Sequence, residues 1–171
     1  MPEKINHLKF FEEAYREALI ALSMDEVPVG AVVVLDGQII GRGHNRRITN
    51  CDGTAHAEIE AIRDACMNTG SWRLDGASIY VTNEPCLMCA GAIMHSRIQR
   101  VYFSSLNAKM GAVMSNYRVF DEKTTPYRVE YHYIPDEKTE KLLKNYFSSK
   151  RGRSIDEKGS SDSVYYGCDC R

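Results

Sequence analysis

Apolar and polar positions follow two different periods in the first third of the chain. Across residues 8–24, apolar side chains recur every three or four positions, which predicts an amphipathic helix against the core. A β-branched run at 31–35 and a second apolar run at 38–41 flank Asp36-Gly37, a pair typical of a hairpin turn. We therefore expect two antiparallel strands, followed by a loop from residue 43 to residue 53.

The later part of the chain alternates between helices and strands. The predicted elements are a helix capped by Thr54 and running to about residue 68, a strand at 78–82, a helix from residue 85 or 86 to residue 95, strands at 101–103 and 127–133, and a last helix at 136–147. Residues 104–125, rich in Met, Asn and Gly, predict loop or broken helix. This order predicts the α/β class, with a mixed five-stranded sheet in a three-layer α/β/α sandwich.

The size and composition of the chain agree with a single globular domain. With 171 residues, it is long enough to bury a core without disulfides. We place the domain at 1–151 and expect 152–171, where Ser, Gly, Lys and Asp prevail, to be a flexible tail. No apolar run reaches the roughly 20 residues of a membrane helix and no secretory segment is evident, so we expect a cytoplasmic protein without a membrane partner. In that compartment the six cysteines favour metal binding and free thiols over disulfides.

The candidate chemistry lies in two short motifs, His56-x-Glu58 and Cys86-x-x-Cys89. One imidazole and two thiols are donors that zinc prefers, and a tetrahedral ion held by three of them keeps its fourth position for water. Zinc lowers the pKa of such a water toward about 7, and Glu58 is the natural proton carrier beside it. Both motifs fall at predicted helix N-termini, where the helix dipole favours thiolate over thiol. This joint pattern is typical of zinc-dependent nucleobase deaminases.

Simpler interpretations exist for each motif alone. A Cys-x-x-Cys pair also occurs as a redox pair or as two buried thiols, and a His-x-Glu pair is common at helix starts. A structural zinc site would need a fourth protein ligand, for which Cys51 is the nearest cysteine in the sequence. If His56 lies in the first helical turn under the metal, the side chain of Glu58 must extend around the helix to reach the metal-bound water.

Most of the chain, from about residue 10 to residue 151, resembles the cytidine-deaminase superfamily, and within it the bacterial tRNA adenosine deaminases of the TadA type. The zinc motifs are shared across the superfamily. The flanking segments are similar to the TadA group: 26–32, 43–46, 54–59, 84–93, 95–98, 108–111 and 146–151.

That resemblance implies a Zn²⁺ enzyme that converts adenosine to inosine in the anticodon loop of a tRNA, at the wobble position. It implies that His56, Cys86 and Cys89 hold zinc and that Glu58 shuttles protons. It also implies a homodimer, with Asn45, Asn107 and Lys109 in contact with the substrate. The chain departs from the family at Asn107, where Asp is usual, and an amide that both donates and accepts could change the preference between RNA and DNA.

The net charge of −1 is unusual for a protein that binds nucleic acid, because such proteins normally have a basic surface. Basic residues cluster near Asn45 and at or beyond the end of the last predicted helix: Arg42, Arg46, Arg47, Lys144, Lys150, Arg151 and Arg153. They form either an ordinary solvated surface or a local phosphate-binding patch. Tyr146 and Phe147 either belong to the core or stack on a loop base.

Two further functions remain open from the sequence. The first is deamination of free guanine, cytosine or a nucleoside, because residues 62–66 are similar to a segment of guanine deaminases. The second is a zinc-stabilised RNA-binding module without catalysis. Glu58 argues against the second, since a structural site has no need of a proton carrier.

Overall fold

A five-stranded sheet forms the centre of the computed structural model, which describes residues 7–156. In chain order the elements are α1 (His7–Ser23), β1 (Gly30–Leu35), β2 (Gln38–His44), α2 (Ala57–Thr69), β3 (Ser78–Val81), α3 (Leu87–His95), β4 (Arg100–Phe103), β5 (Glu130–Tyr133) and α4 (Glu137–Asp156). The strand order is β2-β1-β3-β4-β5. β1 is antiparallel to both of its neighbours, whereas β3, β4 and β5 are mutually parallel. The predicted mixed five-stranded sheet is confirmed.

The strand register gathers the starts and ends of several elements at one edge of the sheet. Ala31, at the start of β1, lies opposite Val81 at the end of β3, and Val81 lies opposite Phe103 at the end of β4. The loops that lead into α2 and α3 therefore emerge at the same edge. The carboxyl ends of adjacent parallel strands are a common place for binding sites in α/β proteins.

Helices cover both faces of the sheet, which confirms the predicted layers. On one face α2 and α3 pack over the inward side chains of the central strands, with Ala61, Ile93 and Ile79 buried in one cluster. On the other face, Phe10 and Phe11 of α1 pack against a second cluster on the sheet. Both faces are apolar, as expected for strands covered by helices.

Glycines set how closely the helices approach the sheet. A Cβ at Gly30 would lie 2.1 Å from the carbonyl oxygen of Ala14 in α1. On the opposite face, a Cβ at Gly43 would lie 2.2 Å from the backbone nitrogen of Ala61 in α2. Both approaches are too close for any side chain, so these positions require glycine.

The predicted end of β2 and the predicted start of β5 were wrong, in each case because the pairing strand decides where the element begins or ends. β2 continues to His44, since its partner β1 begins at Gly30, directly opposite. β5 begins only at Glu130, since β4 offers its first paired residue at Arg100. The predicted strand at 127–129 therefore has no neighbour to pair with in this sheet.

The last helix is longer than predicted. α4 continues to Asp156, past the predicted end at residue 147. Tertiary contacts favour the extension, because the hydroxyl of Tyr146 donates to the carbonyl of Asp25 at 3.2 Å and the Lys150 ammonium donates to the Asp25 carboxylate. Residues 157–171, most of the predicted tail with Cys168 and Cys170, lie outside the described residues. Within the described part, no helix is both long and apolar enough to cross a bilayer.

Candidate metal centre and active site

The two motifs singled out in the sequence begin neighbouring helices at the same edge of the sheet. His56 is the N-cap residue of α2, with extended backbone (φ −76°, ψ 156°), and Cys86 is the N-cap residue of α3 (φ −79°, ψ 174°). The prediction that Thr54 caps α2 and that His56 lies in its first turn was wrong. Thr54 instead belongs to a turn in which its backbone N–H donates to the Asp52 carboxylate at 2.7 Å. This turn places His56 one residue before the helix.

The structure brings His56, Cys86 and Cys89 together. The Nδ1 atom of His56 lies 3.6 Å from the Sγ of Cys86 and 3.5 Å from the Sγ of Cys89. Among the described residues, these are the three side chains whose ligand atoms could hold one metal ion, all within 4.8 Å of one another. Cys51 is not part of this group, so it does not provide a fourth ligand.

The donor chemistry of this cluster fits a soft divalent cation. A hydrogen bond with Cys89 lowers the pKa of Cys86 to about 4. The same hydrogen bond, together with burial, raises the pKa of Cys89 far above its usual range. A hydrogen bond with Cys86 raises the pKa of His56. The cluster therefore holds protons that a zinc-like cation would displace to bind both sulfurs as thiolates.

Glu58 is buried beside the cluster. Its side chain is in the first turn of α2, only 4% of the residue is exposed, and its carboxylate shares a hydrogen bond with the thiol of Cys89. Burial raises the pKa of Glu58 to about 7, despite the neighbouring imidazole of His56, which lowers it. A carboxyl group in such an environment exchanges protons readily near neutral pH. Glu58 thus lies beside the three candidate metal ligands, and its role as a proton carrier stays a prediction.

Asn45 lies just after β2, next to the segment that leads into His56. The backbone N–H of Arg46 donates to the carbonyl of Ala55 at 2.9 Å, which places Asn45 close to the segment that leads into His56. The amide of Asn45 donates to the carboxylate of Glu26 at 3.4 Å. Its Oδ1 is buried and has no hydrogen-bond partner among the described residues. A buried acceptor without a partner is costly and indicates a place for a ligand donor.

Asn107 and Lys109 lie on the loop after β4. Lys109 is exposed, while Asn107 is half-buried and its Oδ1 accepts a hydrogen bond from the backbone N–H of Met110 at 3.0 Å. An aspartate would make the same contact, so the oxygen shared by Asn and Asp is engaged within the loop. An effect of Asn107 on the choice between RNA and DNA stays a prediction.

Two buried carboxylates were not predicted to have a role in the site. Glu26, 1% exposed, accepts the amide of Asn45 and the backbone N–H of Thr49. Glu84, also 1% exposed, accepts several hydrogen bonds from the loop that carries Asn107. Burial alone would raise the pKa of Glu84, but the hydrogen bonds from Ser115 and from backbone N–H groups lower it below its usual value. In the sequence, the only signal for a role of Glu26 and Glu84 in the site was their position next to the motifs.

Several basic residues of the predicted patch are engaged in ion pairs. Arg42 turns toward α1, with its guanidinium 2.7 Å from a carboxylate oxygen of Glu13. Lys150 pairs with Asp25. Arg47 is exposed, and its positive charge near His56 opposes part of the rise in the pKa of that imidazole. The side chain of Arg153 lies outside the described residues. Of the two aromatic residues, Tyr146 is buried and Phe147 is 48% exposed.

Comparisons with known proteins agree with this geometry. Residues 5–151 match the family model described as MafB19-like deaminase. A tRNA-specific adenosine deaminase of Aquifex aeolicus (strain VF5) is 43% identical to this chain over 146 residues, which cover 85% of this chain and 97% of that protein.

Two solved structures are also similar. One, from a study of A-to-I editing by tRNA:A34 deaminases at the wobble position of transfer RNA, is 44% identical with a TM-score of 0.77, and the match covers 80% of this chain and 100% of that chain. A guanine deaminase from Bacillus subtilis is 30% identical with a TM-score of 0.58, over 94% of this chain and 99% of that chain.

Proposed function

The chain belongs to the MafB19-like deaminase family, alongside the tRNA-specific adenosine deaminases, and from that premise we propose that it converts adenosine to inosine at the wobble position of tRNA. The observation that carries the proposal is the convergence of one imidazole and two sulfurs within 4.8 Å beside a buried glutamate. This arrangement supplies both a metal site and a proton carrier, which hydrolytic deamination of a nucleobase requires.

In this proposal, His56, Cys86 and Cys89 hold a zinc ion. A zinc ion bound by these three residues supplies Lewis acidity, which favours attack by water at neutral pH. Because His56 and Cys86 are N-cap residues, their ligand atoms lie at the N-termini of the two helices. A substrate therefore approaches from the edge of the sheet.

We assign Glu58 the proton transfers. Glu58 accepts a proton from the attacking water and delivers it to N1 of the adenine ring as the bond from oxygen to C6 forms. It then accepts the remaining proton of the C6 hydroxyl and passes it to the amino group, so that the bond between C6 and this nitrogen breaks and ammonia leaves. Its raised pKa, near 7, suits a group that must both accept and release a proton at neutral pH. Glu58 is also protected from bulk water, since it is 4% exposed.

Asn45, Asn107 and Lys109 are assigned to the RNA. The unpartnered Oδ1 of Asn45 is an acceptor for a hydroxyl or amine of the nucleotide that enters the site. Asn107 and Lys109 lie on a loop at the same edge of the sheet and would contact neighbouring nucleotides of the anticodon loop. A single-stranded loop suits this site, because its bases leave the stack at low cost.

We further propose that the chain acts as a homodimer through α3. Leu87 and Met88 are 47% and 36% exposed at the start of this helix. Gly91 lies one turn later on the same side, and a Cβ there would meet nothing within 4 Å. A small residue beside exposed apolar side chains allows the close approach of a second helix. Light scattering should give twice the chain mass for the native protein and the monomer mass for Gly91→Arg.

Free guanine is the competing substrate, supported by the guanine deaminase similarity at 30% identity. The tRNA deaminase structure is closer in both sequence and shape, at 44% identity and a TM-score of 0.77. The zinc-loaded protein should be incubated separately with an anticodon-loop hairpin, guanine, cytosine and adenosine. We expect inosine in the hairpin by mass spectrometry and no ammonia from the free compounds. Ammonia from guanine with an unchanged hairpin would replace this proposal with the alternative.

A further inference from the structure

Glu84 is a buried carboxylate, two residues before Cys86, that is surrounded by hydrogen-bond donors from a single loop. The backbone N–H of Asn107 donates to its Oε2 at 3.0 Å. The backbone N–H groups of three successive residues, 113–115, donate to its Oε1 at 3.1, 2.6 and 2.9 Å. The hydroxyl of Ser115 also donates to Oε2. The carboxylate thus binds both ends of the loop 107–115 at once.

The same loop is attached to the turn that carries the first cysteine. The backbone N–H of Ala112 donates to the carbonyl of Pro85 at 2.9 Å, and Gly111 forms an isolated β-bridge with Cys86. A Cβ at Gly111 would lie 2.4 Å from Oε2 of Glu84, so the loop backbone passes directly over the carboxylate. Glu84 therefore fills the space between the loop and the start of α3.

The charge of Glu84 is compensated by loop donors rather than by a basic side chain. In the part of the chain that the structure describes, its oxygens accept four backbone N–H groups and one hydroxyl, and none of the ion pairs formed there includes it. A buried carboxylate that loses its donors carries a large desolvation penalty. If the loop moved away from Glu84, the carboxylate would lose these donors and incur this penalty. The observed conformation of the loop is therefore strongly favoured.

We propose that Glu84 is a positioning residue that fixes the loop 107–115, and with it Asn107 and Lys109, relative to the metal ligands. This inference rests on the proposed function, in which these two residues meet the nucleotides beside the target base. Glu84 does not contact the reacting atoms. Its loss should therefore weaken the binding of RNA rather than slow the chemical step or release the metal.

The test compares Glu84→Gln and Ser115→Ala with the native protein, all as the full chain loaded with zinc. The amide introduced by Glu84→Gln has only one acceptor oxygen, so it cannot accept from both sets of donors, whereas Ser115→Ala removes a single donor and keeps the carboxylate. The matched control is Glu122→Gln, which removes an exposed carboxylate that accepts the backbone N–H and the hydroxyl of Thr124 at 3.2 Å each.

Three quantities are measured: zinc content, amide hydrogen exchange, and KM and kcat for an anticodon-loop hairpin. For Glu84→Gln we expect amide exchange at 113–115 and KM each to rise about tenfold, as for the loss of a hydrogen bond to a charged group. Zinc content and kcat should stay at the native level. Ser115→Ala should change the same two quantities in the same direction by less, and Glu122→Gln should change neither.

Other outcomes overturn the inference. If exchange at 113–115 rises while KM is unchanged, Glu84 has a structural role only. If kcat falls at constant KM, or zinc is lost, it acts on the chemistry or on the metal site. Should Glu84→Gln fail to fold, Ser115→Ala still decides through exchange and KM. Amide exchange needs no substrate. It therefore tests whether Glu84 fixes the loop 107–115 even if the native protein deaminates no hairpin and the proposed function fails.

Discussion

The Nδ1 atom of His56 lies 3.5 Å from the Sγ of Cys89, although the two residues are 33 positions apart in the chain. The contact exists because α2 and α3 begin at the same edge of the sheet, on the same face. Each helix contributes its N-cap residue, and α3 adds a second sulfur from its first turn. The fold therefore assembles the candidate metal site from two separate motifs.

Metal binding should depend on each of the three side chains. Cys89→Ser is expected to lower zinc content at least about tenfold after dialysis against a weak chelator, since a hydroxyl is a poor substitute for a thiolate ligand. Metal analysis by mass spectrometry measures the content directly. Cys66→Ser is the control, because Cys66 is a free, half-buried thiol outside the cluster. Full zinc content in Cys89→Ser would remove this residue from the metal site.

Catalysis should depend on Glu58 without affecting the metal. Glu58→Gln keeps the size of the side chain but cannot carry a proton, so we expect normal zinc content and a loss of about 10²–10⁴ in kcat. Single-turnover deamination of the hairpin gives the rate. Glu60→Gln, on the same helix, removes a carboxylate that pairs with Arg63 and should keep native activity. Native kcat in Glu58→Gln would exclude it as the proton carrier.

The close contact between β2 and α2 should make Gly43 intolerant of any side chain. Gly43→Ala would place a Cβ 2.2 Å from the backbone nitrogen of Ala61, so the helix or the strand must move. We expect the free energy of unfolding to fall by about 1–3 kcal/mol, as in other overpacked cores. Gly53→Ala is the matched control, because a Cβ there would meet nothing within 4 Å. Urea denaturation compares the two, and equal midpoints would contradict the packing argument.

The convergence of the three candidate metal ligands could be predicted from the sequence because each motif carries its own local signal. His56 and the Cys86-x-x-Cys89 pair each follow a strand or loop and begin a helix, and the sandwich brings such helix starts to one edge. The exact position of His56 could not be predicted in this way. The turn in which the Asp52 carboxylate accepts a hydrogen bond from Thr54 extends the loop as far as the histidine. The helix therefore begins after His56 rather than before it.

The roles of Glu26 and Glu84 could not be predicted, because their partners are distant in the chain. Glu84 accepts hydrogen bonds from residues 23 to 31 positions away, on a loop that has no periodic pattern. Glu26 accepts the amide of Asn45 across a similar gap. A buried acid whose donors are distant in the chain looks like any surface acid in a sequence. The end of β2 and the start of β5 were likewise set by strand partners rather than by local preference.

The stability of the protein should depend on pH through His7, at the start of α1. Burial lowers the pKa of His7 below its usual value, and the neighbouring His132 lowers it further. Neutral His7 pairs with the hydroxyl of Tyr80 at 2.9 Å and lies against the ring of Tyr102. Protonation would place a charge among these aromatic groups.

The sign follows from proton binding in the two states. Between the lowered pKa of the folded protein and the unperturbed value of about 6.5, the unfolded chain binds more protons at His7, so stability rises with pH across this interval. Above it both states are neutral at His7, and the contribution no longer changes. Urea midpoints of the zinc-saturated protein should therefore fall between about pH 7.5 and about pH 5.5, and His7→Gln should reduce the difference. His95→Gln, which replaces an exposed histidine, should preserve it; an unchanged difference in His7→Gln would assign the pH dependence to other groups.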